Sequence, residues 1–441
     1  MEWFKTVPFS DVVLWDVKRY SFEKIQSQYP IVKLGMHIQE ESHKVKLADY
    51  PDEEFGILGV NNKIGIFDAY NEKGANINQS YKKMEKGWLA YNPYRVNVGS
   101  IGLRTEEHEN EYISPAYVVF SCKETLLPDF LFKLFKTERF NKVINASTTG
   151  SVRQNLTIDI LKSLDIPLPP IDVQQKMLDD YYYKENNANK LLENSKSIEL
   201  EIENFILSSL GLRIPPPKTK SKNLQFTTFK SIARWDVLSS DLRIQNFLTE
   251  SKFQLKTIGT AFNFINRSWK KSQCKKETFN YIELGDIDPI LGIQDVNEVQ
   301  VSEAASRATQ TVSKNDLIIG TTRPYLKRFA IVPEEFDNYV CSSGFSVIEN
   351  SKDYNLIYLK EYLMSFYGIE QLKNRMTGGS YPAITSAELK EIKIPIPQIE
   401  IQNSIASKLT DLRNEMISNI NSSQSLLKNA LSEFEKNVLV L

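Results

Sequence analysis

Few side chains in this chain could perform catalysis. It has three histidines and three cysteines in 441 residues. Cys122, Cys274 and Cys341 lie too far apart in sequence for a disulfide framework or a metal knuckle. His37 and His43 sit in a polar run of Glu and Lys, and His108 is flanked by Glu107 and Glu109; none has a Cys or Ser partner in its half, so all three read as surface histidines. Glu283-Leu284-Gly285-Asp286-Ile287-Asp288 gathers carboxylates as a metal or ribose site would. The matching run Ile57-Leu58-Gly59-Val60-Asn61-Asn62 carries none, so a strand end is expected there. No glycine-rich phosphate loop is present.

Asn92-Pro93-Tyr94 is similar to the Asn/Asp-Pro-Pro-Tyr/Phe motif of amino-methyltransferases, but it lacks the second proline and has no glycine-rich cofactor turn. It reads as a turn before Arg95. The chemistry left is polyanion recognition. Arg267-Ser268-Trp269-Lys270-Lys271, with Lys275 and Lys276, sets cations beside an aromatic. Lys73, Asn76, Asn78, Lys82 and Lys83 form a looser polar loop in the first half. Two readings of these runs stand side by side: contacts to DNA, or solvated loops. The same pair of readings holds for the small-residue loops 149–153 and 377–381, which either lend backbone N–H groups to phosphates or are plain turns.

A duplication positions these residues. Leu156-Thr157-Ile158-Asp159-Ile160-Leu161, Ile166-Pro167-Leu168-Pro169-Pro170, Gln174 and a long helix pattern come first. Ile384-Thr385-Ser386-Ala387-Glu388-Leu389, Ile394-Pro395-Ile396-Pro397, Gln402 and a second long helix follow 228 residues on (384 − 156). That period is too long for a solenoid; it describes two globular units, each ending in a helix. Leu14-Trp15-Asp16 is echoed by Arg234-Trp235-Asp236, and Thr149-Gly150 by Thr377-Gly378. Thr385 and Glu388 have the spacing of a capping box, and Gly211 that of a helix stop. A helix is expected over 130–144, with Leu131, Leu134, Phe135 and Val143 on one face. The last helix carries an apolar stripe through Leu409, Leu412, Met416 and Phe434 to Leu441, suited to one partner helix.

The expected fold class is therefore α+β: two pseudo-repeated α/β globular domains separated by an antiparallel two-helix coiled coil. The boundaries are 1–170 for the first globular unit, 171–213 for the first long helix and 214–230 for a Pro/Lys linker. The second unit follows at 231–398 and the second long helix at 399–441. At 1.5 Å per residue, ~40 helical residues make a rod of about 60 Å, an upper bound of roughly 18 base pairs of duplex.

Composition bounds the partners. Net charge is −1, unlike a protein that simply coats DNA. Residues 1–172 carry 21 Lys+Arg against 23 Asp+Glu, and residues 214–399 carry 24 against 20. Binding to a polyanion must come from local patches or be shared with a partner. No run approaches the ~18 apolar residues of a membrane span, and the first residues lack an export signal, so a cytoplasmic location is expected.

With its Thr-Gly loops, Pro-x-Pro segments, following glutamines and tandem long helices, the chain resembles the specificity subunits of type I restriction-modification systems over nearly its whole length. The family often has Glu-Gln after the prolines, where this chain has Gln174-Gln175 and Ile401-Gln402. The resemblance implies two target recognition domains that read an asymmetric, bipartite site in double-stranded DNA across an unread spacer. It implies two modification subunits that bind S-adenosylmethionine and methylate adenine, plus restriction (motor-nuclease) subunits. This chain would itself hold no cofactor, metal or catalytic residue. The residues singled out for DNA are Lys82, Lys83, Arg95 and Arg153 in the first unit, and Arg267, Lys270, Arg323 and Arg328 in the second. Those singled out for partner subunits are Ile198, Ile202, Phe205, Leu409, Leu412 and Met416. The competing readings are a DNA methyltransferase with built-in recognition domains, a non-DNA coiled-coil adaptor, and a related defence complex.

Overall fold

A computed structural model describes residues 25–62, 64–94, 99–147, 155–216 and 243–439. The chain partitions into a unit made of residues 1–190 with 422–441, and a second made of residues 191–421. The sequence reading set both helices apart from the globular units. The structure instead divides each helix between them, because each helix's apolar face completes a core.

In the first unit the strands are β1 (Ile31–Lys33), β2 (Ile38–Glu40), β3 (Lys44–Val45), β4 (Glu54–Asn61), β5 (Gly65–Lys73) and β6 (Tyr81–Lys83). They continue with β7 (Leu89–Tyr91), β8 (Ile101–Leu103), β9 (Tyr112–Ile113), β10 (Val118–Cys122) and β11 (Asp165–Pro167). One sheet has the order β2-β10-β7-β8, another β3-β6-β9-β4-β5, and β1 pairs β11. The helices are α1 (Pro128–Lys136), α2 (Glu138–Ser147), α3 (Ile158–Lys162) and α4 (Ile171–Leu210). Side chains alternate across a strand, which makes the four-stranded sheet a middle layer. Leu89 and Tyr91 join the helix-side core with Phe130, Leu134 and Phe434. Ala90 between them joins Leu58, Ile66 and Ile113 of the five-stranded sheet.

The second unit repeats this plan. Its strands are β12 (Leu255–Thr257), β13 (Phe264–Ile265), β14 (Arg267–Ser268), β15 (Thr278–Ile282), β16 (Ile287–Asp288), β17 (Gly292–Ile293) and β18 (Asn297–Gln300). The rest are β19 (Ala308–Thr311), β20 (Leu317–Gly320), β21 (Phe329–Ile331), β22 (Val340–Ser342), β23 (Phe345–Ile348) and β24 (Lys393–Pro395). The orders β13-β23-β20-β21 and β14-β19-β22-β15-β18, with β12 paired to β24, match the first unit strand for strand. Each five-stranded sheet contains one parallel pair at the same place, β4 with β9 and β15 with β22. The hairpin β16–β17 has no equivalent among the described strands of the first unit. The helices are α5 (Arg243–Leu248), α6 (Ile258–Ala261), α7 (Leu356–Met364), α8 (Phe366–Lys373), α9 (Ser386–Lys390) and α10 (Ile399–Val438).

The expected single helix over 130–144 is two, α1 and α2. Thr137 is extended (φ −66°, ψ 151°) and its hydroxyl donates to the Leu134 carbonyl at 2.7 Å, ending the first helix. Ser365, 228 residues later, does the same to Tyr362 at 2.7 Å between α7 and α8. Helix α4 ends as foreseen: Gly211 has φ +73°, Leu212 N–H donates to Leu207 and Gly211 N–H to Ser208, a Schellman closure. Thr385 caps α9 by accepting from the Glu388 amide at 3.2 Å, and Thr157 caps α3 from Ile160 at 3.3 Å.

The repeated glutamines lock each long helix to its unit. Gln174 donates to the Pro169 carbonyl at 2.8 Å and accepts from the Leu127 amide at 2.9 Å. Gln402 donates to Pro397 at 2.8 Å and accepts from Asn355 at 3.0 Å. Both are fully buried. In the first unit Met177, Leu178 and Tyr181 of α4 share a core with Ala430, Phe434 and Val438 of α10. In the second, Ile198, Ile202 and Ile206 of α4 share one with Leu409, Leu412 and Met416 of α10. The beginning of each helix thus meets the end of the other, as in an antiparallel pair. The repeats of Trp15 and Trp235, most of the 214–230 linker and Leu441 lie outside the described residues.

Candidate nucleic-acid interface

The cations singled out from sequence separate into four situations. Lys82, on β6, is buried, and its ammonium donates to the Tyr117 carbonyl at 2.8 Å. Burial lowers its pKa, opposed by Glu40. It ties β6 to the segment before β10 and cannot reach a base in this arrangement, so it is withdrawn from the DNA set. Arg267 is likewise spent within the fold. Its guanidinium bridges Asp316, which is almost wholly buried, and Glu349 at 3.2 Å. Since Asp316 precedes β20 and Glu349 follows β23, this arginine at the edge of the five-stranded sheet staples it to the four-stranded one.

Lys83, the neighbour of Lys82 in a strand, points the opposite way and is exposed; it pairs with Glu111 at 3.3 Å. Lys270 is exposed on the loop after β14. That loop is held firmly. Trp269 packs on Phe279 with ring centres 4.7 Å apart, and its backbone amide donates to the Thr309 carbonyl at 2.7 Å. A 3-10 turn, Lys271–Gln273, then orders the following residues.

Arg323 and the 377–381 loop meet. Arg323 adopts left-handed backbone angles (φ 48°), a conformation that is uncommon outside glycine. Its N–H donates to the Pro382 carbonyl at 2.7 Å, and its guanidinium donates to Ser380 at 2.9 Å and lies 4.5 Å from the Tyr381 ring centre. Tyr381 is 72% exposed. Ile384 N–H donates to the Thr321 carbonyl, as Leu156 N–H does to the Pro93 carbonyl 228 residues earlier. Arg328 is half-buried two residues after the 3-10 turn Pro324–Leu326, and its carbonyl accepts from the Gly320 amide at 3.0 Å. Arg95 and Arg153, with the 149–153 loop, lie outside the described residues. Tyr381 was the residue sequence reading undervalued; its place two residues beyond Gly378-Gly379 was the available signal.

The candidate catalytic groups resolve into structural roles. Glu283 and Asp286 cap each other's backbone, and Asp288 accepts from Ile290 and Leu291 at 2.8 Å. Asn92 accepts from the Tyr94 amide at 3.0 Å, as a turn residue does. His108 is more than a surface histidine: Nδ1 accepts from the Thr105 amide and Nε2 lies 3.0 Å from the Ile66 carbonyl, pinning its loop to β5. Among the described residues, no group of three or more His, Cys, Asp or Glu could hold a metal.

The residues singled out for partner subunits are corrected as well. Ile198, Ile202, Leu409, Leu412 and Met416 are buried against one another, and Phe205 packs on the same core. Burial of those five completes the second unit, while Phe205 is half-buried. The large apolar side chains exposed on the long helices are Ile171, Tyr183 and Leu200 on α4, at 39%, 70% and 67%, and Ile401 on α10, at 38%. No helix among the described residues is long and apolar enough to cross a membrane.

Comparison with known proteins completes the picture. The family model for the type I restriction modification DNA specificity domain matches residues 70–200 and 250–428. A curated relative, the type I restriction enzyme HindI specificity subunit of Haemophilus influenzae, is 28% identical over 141 residues. That match covers 31% of this chain and only 30% of the relative. A chain from a solved structure on assembly and conformational transition of the type I R-M system aligns over 94% of this chain and 99% of its own. The TM-score is 0.54 at 15% identity, a likeness of fold.

Proposed function

Because the chain belongs to the type I restriction-modification DNA specificity family, we propose that it is the sequence-reading subunit of such a complex. Each unit recognises one part of a bipartite, asymmetric site in duplex DNA, and the paired helices set the gap. The observation that carries this reading is the fold built twice with the same strand order, each copy closed by a 40-residue helix. Two like frameworks with different surface residues suit two different half-sites.

The DNA-facing set comprises Lys83, Arg323 and Arg328 toward the bases and Lys270 toward the phosphates, joined on sequence position by Arg95 and Arg153. An arginine can read guanine through two hydrogen bonds, each good pair discriminating by about 1–3 kcal/mol. Tyr381 gives Arg323 a fixed platform. Two modification subunits, binding S-adenosylmethionine and methylating adenine, dock on the long helices at exposed apolar side chains such as Tyr183 in the first unit and Leu200 in the second. Restriction subunits join that assembly in the cytoplasm. The chain itself is non-catalytic.

The test is footprinting of the chain co-purified with modification subunits on a randomised duplex library. Protection of two short specified blocks across an unspecified gap is the expected result, and shortening both helices by one heptad narrows the gap while leaving the blocks intact. Methyl transfer from labelled S-adenosylmethionine by the chain alone would instead establish a methyltransferase. Absence of any preferred sequence would leave an adaptor.

A further inference from the structure

The strand-for-strand match of the two units permits a comparison that the sequence repeat alone does not. The loop joining β3 to β4 and the loop joining β14 to β15 occupy the same place in the same sheet. They carry opposite charge. Residues 46–53 hold one lysine against three carboxylates, and residues 269–277 hold four lysines against one. In the first loop Lys46 is further neutralised by Asp49 at 3.2 Å. In the second, Lys270, Lys271, Lys275 and Lys276 are all exposed. Among the described residues no carboxylate lies within ion-pair reach of any of the four, and Lys271 alone has its ammonium on a carbonyl, that of Ser302 at 2.5 Å, where it stays exposed. Three other cations of the first unit near this sheet are occupied, Lys82 by a carbonyl, Lys83 by Glu111 and Lys86 by Glu106, while Lys44 and Lys73 stand exposed on separate strands, β3 and β5.

Building on the DNA-recognition reading, we propose that residues 269–277 form a phosphate clamp present in the second unit and missing from the first. Salt-dependent, sequence-independent affinity then enters through the second unit, and the first unit contributes base reading with little phosphate neutralisation. The clamp is pre-ordered, because Trp269 is fixed by Phe279 and Thr309 and the 3-10 turn fixes Lys271. Four lysines held on a rigid frame lose less freedom on meeting a phosphate strand than four on a loose loop.

The experiment uses the full chain in complex with its modification subunits and measures duplex affinity between 50 and 200 mM salt. Each phosphate contact contributes about 0.9 to the slope of log affinity against log salt. Changing Lys270, Lys271, Lys275 and Lys276 to Gln is expected to lower the slope by up to about 3.6. Over that fourfold range the wild type then loses about 150-fold more affinity than the variant. The preferred bases, read by selection from a random library, stay the same in both half-sites. The matched control, Lys44→Gln with Lys46→Gln, shifts the slope by less than about one. An unchanged slope in the four-lysine variant, or an equal change in the control, overturns the clamp while sequence-specific binding by the wild type still upholds the recognition reading. A wild-type complex with no preferred sequence would fail that reading first. Thermal melts matching the wild type exclude misfolding of these surface variants.

Discussion

Exchanging the partners of one buried ion pair tests the duplication in energetic terms. Lys133 pairs with Glu185 at 3.2 Å in the first unit, and Glu361 pairs with Arg413 at 2.7 Å in the second. Lys133 and Glu361 are 228 residues apart, and so are Glu185 and Arg413. The same bridge joins the first helix after the sheets to the long helix, with its polarity reversed. Glu361 and Arg413 have side chains 2% and 11% exposed, and Lys360 also reaches Glu361 at 3.1 Å. Glu361→Lys therefore leaves three cations in a dry site. Breaking a buried pair costs about 3–5 kcal/mol. For a unit of this size each kcal/mol moves the melting temperature by about 2–4 °C, so a fall of roughly 6–20 °C is expected. Adding Arg413→Glu recreates the polarity that the first unit carries, and should recover at least about half of the loss, a coupling energy of roughly 2 kcal/mol. Scanning calorimetry of the wild type, both single variants and the double variant closes the cycle. A double variant whose loss equals the sum of the single losses would refute the equivalence of the two bridges.

Three further outcomes are expected. Gln402→Ala strands the Asn355 amide and the Pro397 carbonyl, and Gln174→Ala strands their counterparts; each should cost about 1–3 kcal/mol for every buried group left unpaired, read by urea denaturation. Glu203 caps α8 by accepting from the Phe366 amide at 2.9 Å, while burial raises its pKa. Glu203→Gln keeps the acceptor and sheds the buried charge, so its melt should match or exceed the wild type, whereas Glu203→Ala should lose about 0.5–2 kcal/mol. For Glu361, burial pushes the pKa up, but Lys360 and Arg413 prevail and hold it below the usual value. A depressed carboxylate stabilises the fold fully above its unfolded pKa, about 4.3, and that stability disappears as pH falls through the folded value. Glu361→Gln should therefore show a shallower decline in stability below about pH 4 than the wild type.

Much of this architecture was legible because it is local or repeated. The offset of 228 located the glutamines, the threonine caps and both long helices, and Gly211 marked where α4 stops. What escaped depended on contacts between segments distant in sequence. Lys82 and Lys83 are adjacent in a polar run, yet strand alternation buries one and exposes the other. Arg267 sits in the most basic stretch, but Asp316 and Glu349, far along the chain, neutralise it. The break at Thr137 was hidden because the apolar periodicity continues across it, and only the extended backbone and the hydroxyl's bond to Leu134 reveal two helices. The helix stripe was read correctly as a seam; the error was to assign buried seam residues to a second protein.

The first unit is discontinuous, since residues 422–441 belong with residues 1–190. Phe434 lies between Phe130 and Tyr181 in its core, 5.4 and 6.4 Å from them, and Glu435 caps the start of α2 through the Arg139 amide. A ribosome adding about 5–20 residues per second needs roughly ten to fifty seconds to traverse the intervening segment. Throughout that interval the nascent first unit exposes an apolar groove that residues 422–441 later fill. Premature termination late in translation would consequently injure the portion made first.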